Sequence, residues 1–252
     1  MRVTIIVQAR LGSTRLPGKA LLPVGDLPLL GHVLRQCLAA SRADGVVLAT
    51  TKLPEDDALA ALAGDMHVPV FRGSRDDVLG RFLGAAEVAG ADLVVRVTGD
   101  CPFVCPDLID QAVEMAVRER AEAVGAAGYP EGVTAEVVTR EALERTAGLA
   151  RAKEDREHVT SYLWRNPSRF RTRVLECPDP LDEFAFSVDD EEDLAFARAV
   201  WERVGRPGAA VRFPELAALL EDPNIAGTSR RLWRKKEGTP SGGVVHVPEE
   251  LA

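Results

Sequence analysis

Four apolar runs constrain the fold of this chain more than any other feature. Arg2–Ala9 (RVTIIVQA), Gly45–Thr50 (GVVLAT), Val68–Phe71 (VPVF) and Asp92–Asp100 (DLVVRVTGD) are short and mostly rich in β-branched residues. Runs of this kind suit strands covered on both faces. The segments between them carry helical signals. Pro28 opens a helix to about Ser41, with Leu30, Val33, Leu34 and Leu38 on one face. Pro54–Gly64 has acids in its first turn and glycine at its end. Ser74 is placed to cap a helix over Ser74–Gly90, and Pro106 starts another to about Arg120. Strands alternating with helices call for right-handed crossovers and a mostly parallel sheet with helices on both faces.

The second half is less regular. Ala135–Thr139, Arg171–Cys177 and Glu183–Val188 read as strands. Arg140–Ala150, Glu154–Asn166 and Asp190–Gly205 read as helices. Residues 1–236 form one domain in this reading, and 237–252, with Gly-Thr-Pro-Ser-Gly-Gly, form a loosely docked tail. With 31 basic against 39 acidic residues the net charge is −8, which argues against a general nucleic-acid or anionic-membrane binder. No run approaches the ~20 apolar residues of a membrane span. The four cysteines form neither paired zinc spacings nor a disulfide framework. A cytoplasmic protein is expected.

Against that acidic background, Gln8–Lys19 (QARLGSTRLPGK) places Arg10, Arg15 and Lys19 in one loop after the first strand. Ligands of parallel α/β sheets bind at this end of the strands. Guanidinium and ammonium groups, with amides near Gly12 and Gly18, suit a polyphosphate. The loop is not a P-loop: five residues separate Gly12 from Gly18, and Ala20 stands where that motif has Ser or Thr. Asp100 ends a strand signal ahead of Pro102, as either a turn residue bonding its own backbone or a candidate ligand of a hard cation, and Asp189 follows a second strand signal. The neighbouring Asp190, Glu191 and Glu192 suit a helix start instead.

The stretch Val7–Leu30 resembles the opening of the cytidylyltransferases that make CMP-sugars, closest to those of spore-coat polysaccharide biosynthesis. The resemblance continues in order through Val68–Phe82, Val94–Asp110, Tyr129–Glu144, Arg156–Phe170 and Phe186–Leu194. It implies a Rossmann-like three-layer α/β/α nucleotidyltransferase fold, shared with family-A glycosyltransferases. It further implies a Mg²⁺-dependent enzyme that couples CTP to a sugar, acts as a homodimer and releases pyrophosphate. Arg10, Arg15 and Lys19 would contact the triphosphate, with Ala9, Gly12 and Ser13 lining the nucleotide. Asp100 and Asp189 would bind Mg²⁺, and Asp100 joins the three cations as a catalytic candidate. Arg72, Gly73 and Ser74 are candidates near the base, together with Thr98, where the octulosonate enzymes carry Gln. Glu136, Arg156, Glu157 and His158 are candidates for the sugar side. Thr134 stands where relatives usually have Asp, which opens the alternative of a different substrate or a non-catalytic scaffold. A glycosyltransferase is the other alternative, but its Asp-x-Asp signature is absent after Asp100.

Overall fold

The computed structural model describes residues 1–236. In chain order the strands are β1 (Val3–Gln8), β2 (Pro23–Val24), β3 (Leu27–Pro28), β4 (Gly45–Thr51), β5 (Val70–Gly73), β6 (Leu93–Thr98), β7 (Ala123–Ala127), β8 (Glu136–Thr139) and β9 (Thr172–Glu176). The helices are α1 (Leu29–Leu38), α2 (Asp57–Asp65), α3 (Val78–Ala89), α4 (Pro106–Glu119), α5 (Arg140–Leu149), α6 (Lys153–Glu157), α7 (Ser161–Trp164), α8 (Glu191–Val204), α9 (Phe213–Leu219) and α10 (Pro223–Lys236). Seven strands form one sheet in the order β5-β4-β1-β6-β8-β7-β9, and β2 with β3 form a separate hairpin. All pairings in the large sheet are parallel except those of β8 with β6 and β7.

The apolar runs explain this layering. On β1, Ile5 and Val7 join the core beneath α1, α2, α4 and α8, while Ile6 joins the core beneath α3, α5 and α7. A strand between two helical layers needs apolar side chains in both directions. Its C-terminal end, and that of β6 beside it, open onto the same edge of the sheet.

Four local expectations change in the folded chain. Leu38, read as part of the apolar face of α1, is 51% exposed at the end of that helix. Asp77, rather than Ser74, caps α3: its carboxylate accepts the Gly80 amide at 2.9 Å, while Ser74 Oγ accepts the amides of Asp76 and Asp77 in the preceding turn. The single helix read over Glu154–Asn166 is two short ones, α6 and α7. They are broken where buried Val159 takes φ 57°, a conformation a β-branched residue adopts only when its surroundings impose it. Glu183–Val188 is not a strand. Ala185 makes one isolated bridge to Glu131, and its N–H and C=O are paired with the Ser229 hydroxyl of α10. Apart from these, β7 (AVGAA) and the helices α9 and α10 lacked clear sequence signals. The expected tail, 237–252, lies outside the described residues.

Behind the break in the α6–α7 segment sits a buried charge network. Arg96 NH1 donates to Glu136 Oε2 at 2.5 Å, and the Glu136 carboxylate also accepts the Thr160 hydroxyl (2.8 Å) and the Trp164 indole N–H (2.5 Å). These bonds pin α7 to β8, and so set where His158 and Glu157 emerge. Removing one partner of a buried ion pair typically costs about 3–5 kcal/mol. Glu136→Ala should therefore lower the unfolding free energy by about that amount in a urea titration. A loss below about 1 kcal/mol would show that the network does not hold the fold.

Candidate active site

The loop after β1 is shaped by bonds to its own backbone and to one buried acid. Leu11 N–H donates to Asp56 Oδ1 at 2.8 Å, and the other Asp56 oxygen accepts the Thr51 hydroxyl. Leu11 C=O in turn accepts the amides of Ser13 (2.7 Å) and Gly18 (3.2 Å). The Gly18 amide is therefore engaged within the loop rather than presented to a ligand. What Gly18 contributes is φ 72°, which turns the chain into the short helical turn Lys19–Leu21.

That turn aims Lys19 at two carboxylates. Its Nζ lies 3.0 Å from Asp100 Oδ2 and 3.1 Å from Asp189 Oδ1, and donates to Val188 C=O at 2.6 Å. Arg15 NH2 lies 2.8 Å from the same Asp189 oxygen. Asp100 reaches the site because Gly99 lets the tips of β1 and β6 close together. A Cβ on Gly99 would sit 2.7 Å from Ala9 Cβ and 2.9 Å from Gln8 O. Asp189 reaches it because Val188 N–H donates to Asp100 C=O at 2.9 Å. Asp190 caps α8, and Asp193 returns the bond by accepting the amides of Asp189 and Asp190. Behind Asp189, buried Lys236 of α10 donates to Ser187 O (2.8 Å) and Oγ (2.7 Å). Its Nζ lies 3.3 Å from Asp193 Oδ2 and 3.7 Å from Asp189 Oδ2.

Burial works against the charges of Lys19 and Asp100, and pairing outweighs it. Burial alone would pull the Lys19 ammonium down, but Asp100 and then Asp189 hold its pKa above the ordinary value. Burial alone would push Asp100 up, but Lys19 holds it below the ordinary value, aided by a bond from the Thr98 hydroxyl. Nearby Glu131 goes the other way: burial raises its pKa, Lys236 and the Ser187 hydroxyl offset part of the rise, and Asp189 and Asp100 add to it.

These groups border a cavity of about 250 Å³ at the strand ends. Ala9, Arg10, Gly12, Ser13, Arg15 and Lys19 line it from the loop. Thr98, Asp100 and Asp189 line the side toward the sheet, and Glu157 and His158 a third side. Arg10 faces Glu157 at 3.7 Å. Five candidates stand elsewhere. Glu136 is enclosed in the buried network. Arg156 grips Asp77 with Nε (3.0 Å) and NH2 (2.6 Å), bracing the cap of α3. Arg72 is held by the carbonyls of Thr51 (2.7 Å) and Leu53 (2.8 Å) and by Asp57. Gly73 and Ser74 lie with Arg72 at the end of β5, and neither lines the cavity. Thr134 does not line it either. Gln8, Val78 and Arg81 do, and sequence reasoning had passed over them. The available signals were slight: a polar residue ending an apolar strand, and a charge within the apolar stripe of α3. Asp56 and Lys236 gave none beyond ordinary helix-end charges.

The donor set fits Mg²⁺. Two carboxylate oxygens already converge on one cationic point, the Lys19 ammonium. No group of three or more potential ligands is assembled among the described residues. Two carboxylates, with phosphates and water completing the shell, are what a Mg²⁺ site at a nucleotide commonly uses.

With this geometry in view, likeness to known proteins is informative. The sequence model of the Cytidylyltransferase family matches residues 4–191. The chain belongs to the cytidylyltransferase family. It is therefore a nucleotidyltransferase, and the loop, Asp100 and Asp189 all fall within the matched span. The spore coat polysaccharide biosynthesis protein SpsF of Bacillus subtilis is 34% identical, over 90% of this chain and 98% of its own. The uncharacterized protein MJ1063 of Methanocaldococcus jannaschii is 39% identical over 77% of this chain and 81% of its own. A cytidylyltransferase structure from Leptospira borgpetersenii superposes with a TM-score of 0.84 at 30% identity, covering 89% of this chain and 96% of that one. The three-layer nucleotidyltransferase fold is thus common to this chain and its cytidylyltransferase neighbour.

The Lys19–Asp100 pair has a defined pH window. The depressed Asp100 value makes its contribution to stability present above pH 3.8 and lost as pH falls through the folded value. The raised Lys19 value makes its contribution present below pH 10.5 and lost as pH rises through the folded value. Lys19→Met should shift the Asp100 titration upward, because burial then lacks its main opponent. Carboxyl-carbon NMR against pH reads this directly, and an unmoved Asp100 would show that Lys19 does not set its charge.

Proposed function

We propose that this cytidylyltransferase is Mg²⁺-dependent and transfers the cytidylyl group of CTP to a sugar hydroxyl, releasing pyrophosphate. The observation that carries the reading is the meeting of Lys19 and Arg15, from the loop after β1, with Asp100, after the end of β6, and Asp189, just before α8. Cations for a triphosphate tail and carboxylates for a divalent ion meet where two sides of the cavity join.

In the reaction the sugar oxygen forms a bond to the α-phosphorus, the bond from that phosphorus to the β-phosphate oxygen breaks, and the hydroxyl proton is released. Such transfers depend on positioning and charge stabilisation more than on covalent chemistry by the protein. Arg10, Arg15 and Lys19 are placed to bind the phosphates and neutralise the departing pyrophosphate. Asp100 and Asp189 would hold the Mg²⁺, which supplies Lewis-acid stabilisation of phosphate oxygens. Glu157 and His158, opposite the loop, are the residues we assign to the sugar. Its chemistry is expected to be that of an acidic or surface-polysaccharide sugar. A cytoplasmic setting agrees with four free, buried cysteines. No helix among the described residues is long and apolar enough to cross a membrane.

The test is pyrophosphate release with CTP, Mg²⁺ and a panel of acidic sugars. One sugar should give turnover, and Asp100→Asn and Lys19→Met should each lower the rate by roughly 10²–10³. Sugar transfer from a preformed nucleotide-sugar, with no pyrophosphate from CTP, would replace this reading with a glycosyltransferase. Silence across the panel, with unaltered melting in CTP and Mg²⁺, would favour a scaffold.

A further inference from the structure

Besides the paired cations and carboxylates, the cavity is lined by two side chains that carry unpartnered polar atoms. Side chains alternate along a strand, so Gln8 points the same way as Ile6, toward the core beneath α3. In register it lies between Ala49 of β4 and Thr98 of β6. The small Ala49 leaves the Gln8 carboxamide room. Above it, the first turn of α3 contributes Val78 and Arg81 to the same cavity. Gln8 Oε1 is shielded from solvent and accepts no hydrogen bond. Arg81 is 2% exposed, and its NH1 is fixed by the carbonyls of Ser74 and Arg75, yet its Nε also lacks a partner. Buried polar groups are normally paired, and two unpaired ones lining one cavity mark a place where a ligand completes the bonding.

The chemistry of that ligand follows from the groups present. Gln8 offers a buried acceptor, Arg81 only donors, and Val78 an apolar surface. A flat ring with a donor and an acceptor side by side on its edge satisfies all three. Cytosine is such a ring: its exocyclic amino group donates, and its ring nitrogen and carbonyl accept. With the carboxamide in this orientation, a uracil ring would set a carbonyl oxygen against the Gln8 oxygen. We propose that Gln8 and Arg81 form the subsite that reads the base, with Gln8 Oε1 accepting from the cytosine amino group and Arg81 donating to the acceptor beside it. This rests on the reading of the chain as an enzyme that uses CTP. It moves base recognition from Arg72, Gly73 and Ser74 to side chains that face the cavity.

Isothermal titration of the full chain, with Mg²⁺ present, tests it with three probes: CTP, UTP and inorganic tripolyphosphate. The wild type should bind CTP at least tenfold more tightly than UTP. Gln8→Leu should weaken CTP by roughly tenfold to a hundredfold, while UTP and tripolyphosphate change by less than about twofold. Gln8→Glu, which keeps the acceptor but cannot donate, should keep the preference for CTP. It also provides a second variant should the leucine disturb folding. Equal weakening of all three probes in Gln8→Leu would overturn the proposal, because Gln8 would then only shape the loop. An undiminished preference for CTP in that variant would overturn it too. A wild type that binds tripolyphosphate but does not distinguish CTP from UTP would remove the base subsite and leave the phosphate loop standing. A wild type that binds none of the probes would remove both.

Discussion

One ammonium group, that of Lys19, lies between Asp100 and Asp189, and the arrangement of the site depends on it. The two acids stand 81 and 170 residues further along the chain. Carboxylates brought that close repel each other unless a cation lies between them. Lys19 supplies the charge from a loop whose path is set by Asp56 and by the positive φ of Gly18. The ion pairs therefore do two things together. They tie the loop after β1 to the ends of two other segments, and they keep two oxygens converging on one point before any ligand arrives. Preorganisation of this kind is what makes charge stabilisation effective in transfer chemistry.

Around that point, the walls are held by charged residues, buried or half-buried, that do not line the cavity. Glu136, with Arg96, Thr160 and Trp164, anchors the segment that delivers Glu157 and His158. Lys236 and Asp193 fix the backbone on which Asp189 sits. Arg156 clamps the cap of α3, the helix that carries Arg81. Buried ion pairs are weak contributors to net stability because desolvation offsets attraction. Here each one joins segments far apart in sequence, so its consequence is the position of a wall. The strained Val159 fits the same pattern: the chain accepts an unfavourable conformation where Thr160 and Trp164 must reach Glu136 while His158 turns toward the cavity.

Much of the fold was legible from periodicity. β1, β4, β5 and β6 follow from apolar runs, since a strand between two helical layers has no polar face. The helices between them follow from stripes and caps. Glu183–Val188 misled because it is apolar enough for a strand, yet the folded chain meets its backbone with a serine of α10 instead of a neighbouring strand. Glu154–Asn166 misled because a helical stripe does not reveal that a buried carboxylate on β8 will pull one end away. In the site, Arg10, Arg15, Lys19 and Asp100 were legible because they follow strand ends, where a parallel α/β sheet binds ligands, and Asp189 was legible through the family resemblance. Arg72, Glu136 and Arg156 were not separable from them, because a charged residue that braces a turn looks in sequence like one that contacts a substrate.

The sequence by itself determined the layered α/β architecture, the edge of the sheet where ligands bind and the cation-rich loop at that edge. All three depend on local pattern, on alternation, stripes and residues adjacent to strand ends. Only the tertiary structure decided which charges meet, which are enclosed and which buried polar atoms are left without a partner. Those outcomes are set by contacts between segments up to 170 residues apart, and a bond to a distant partner leaves no periodic trace in the chain.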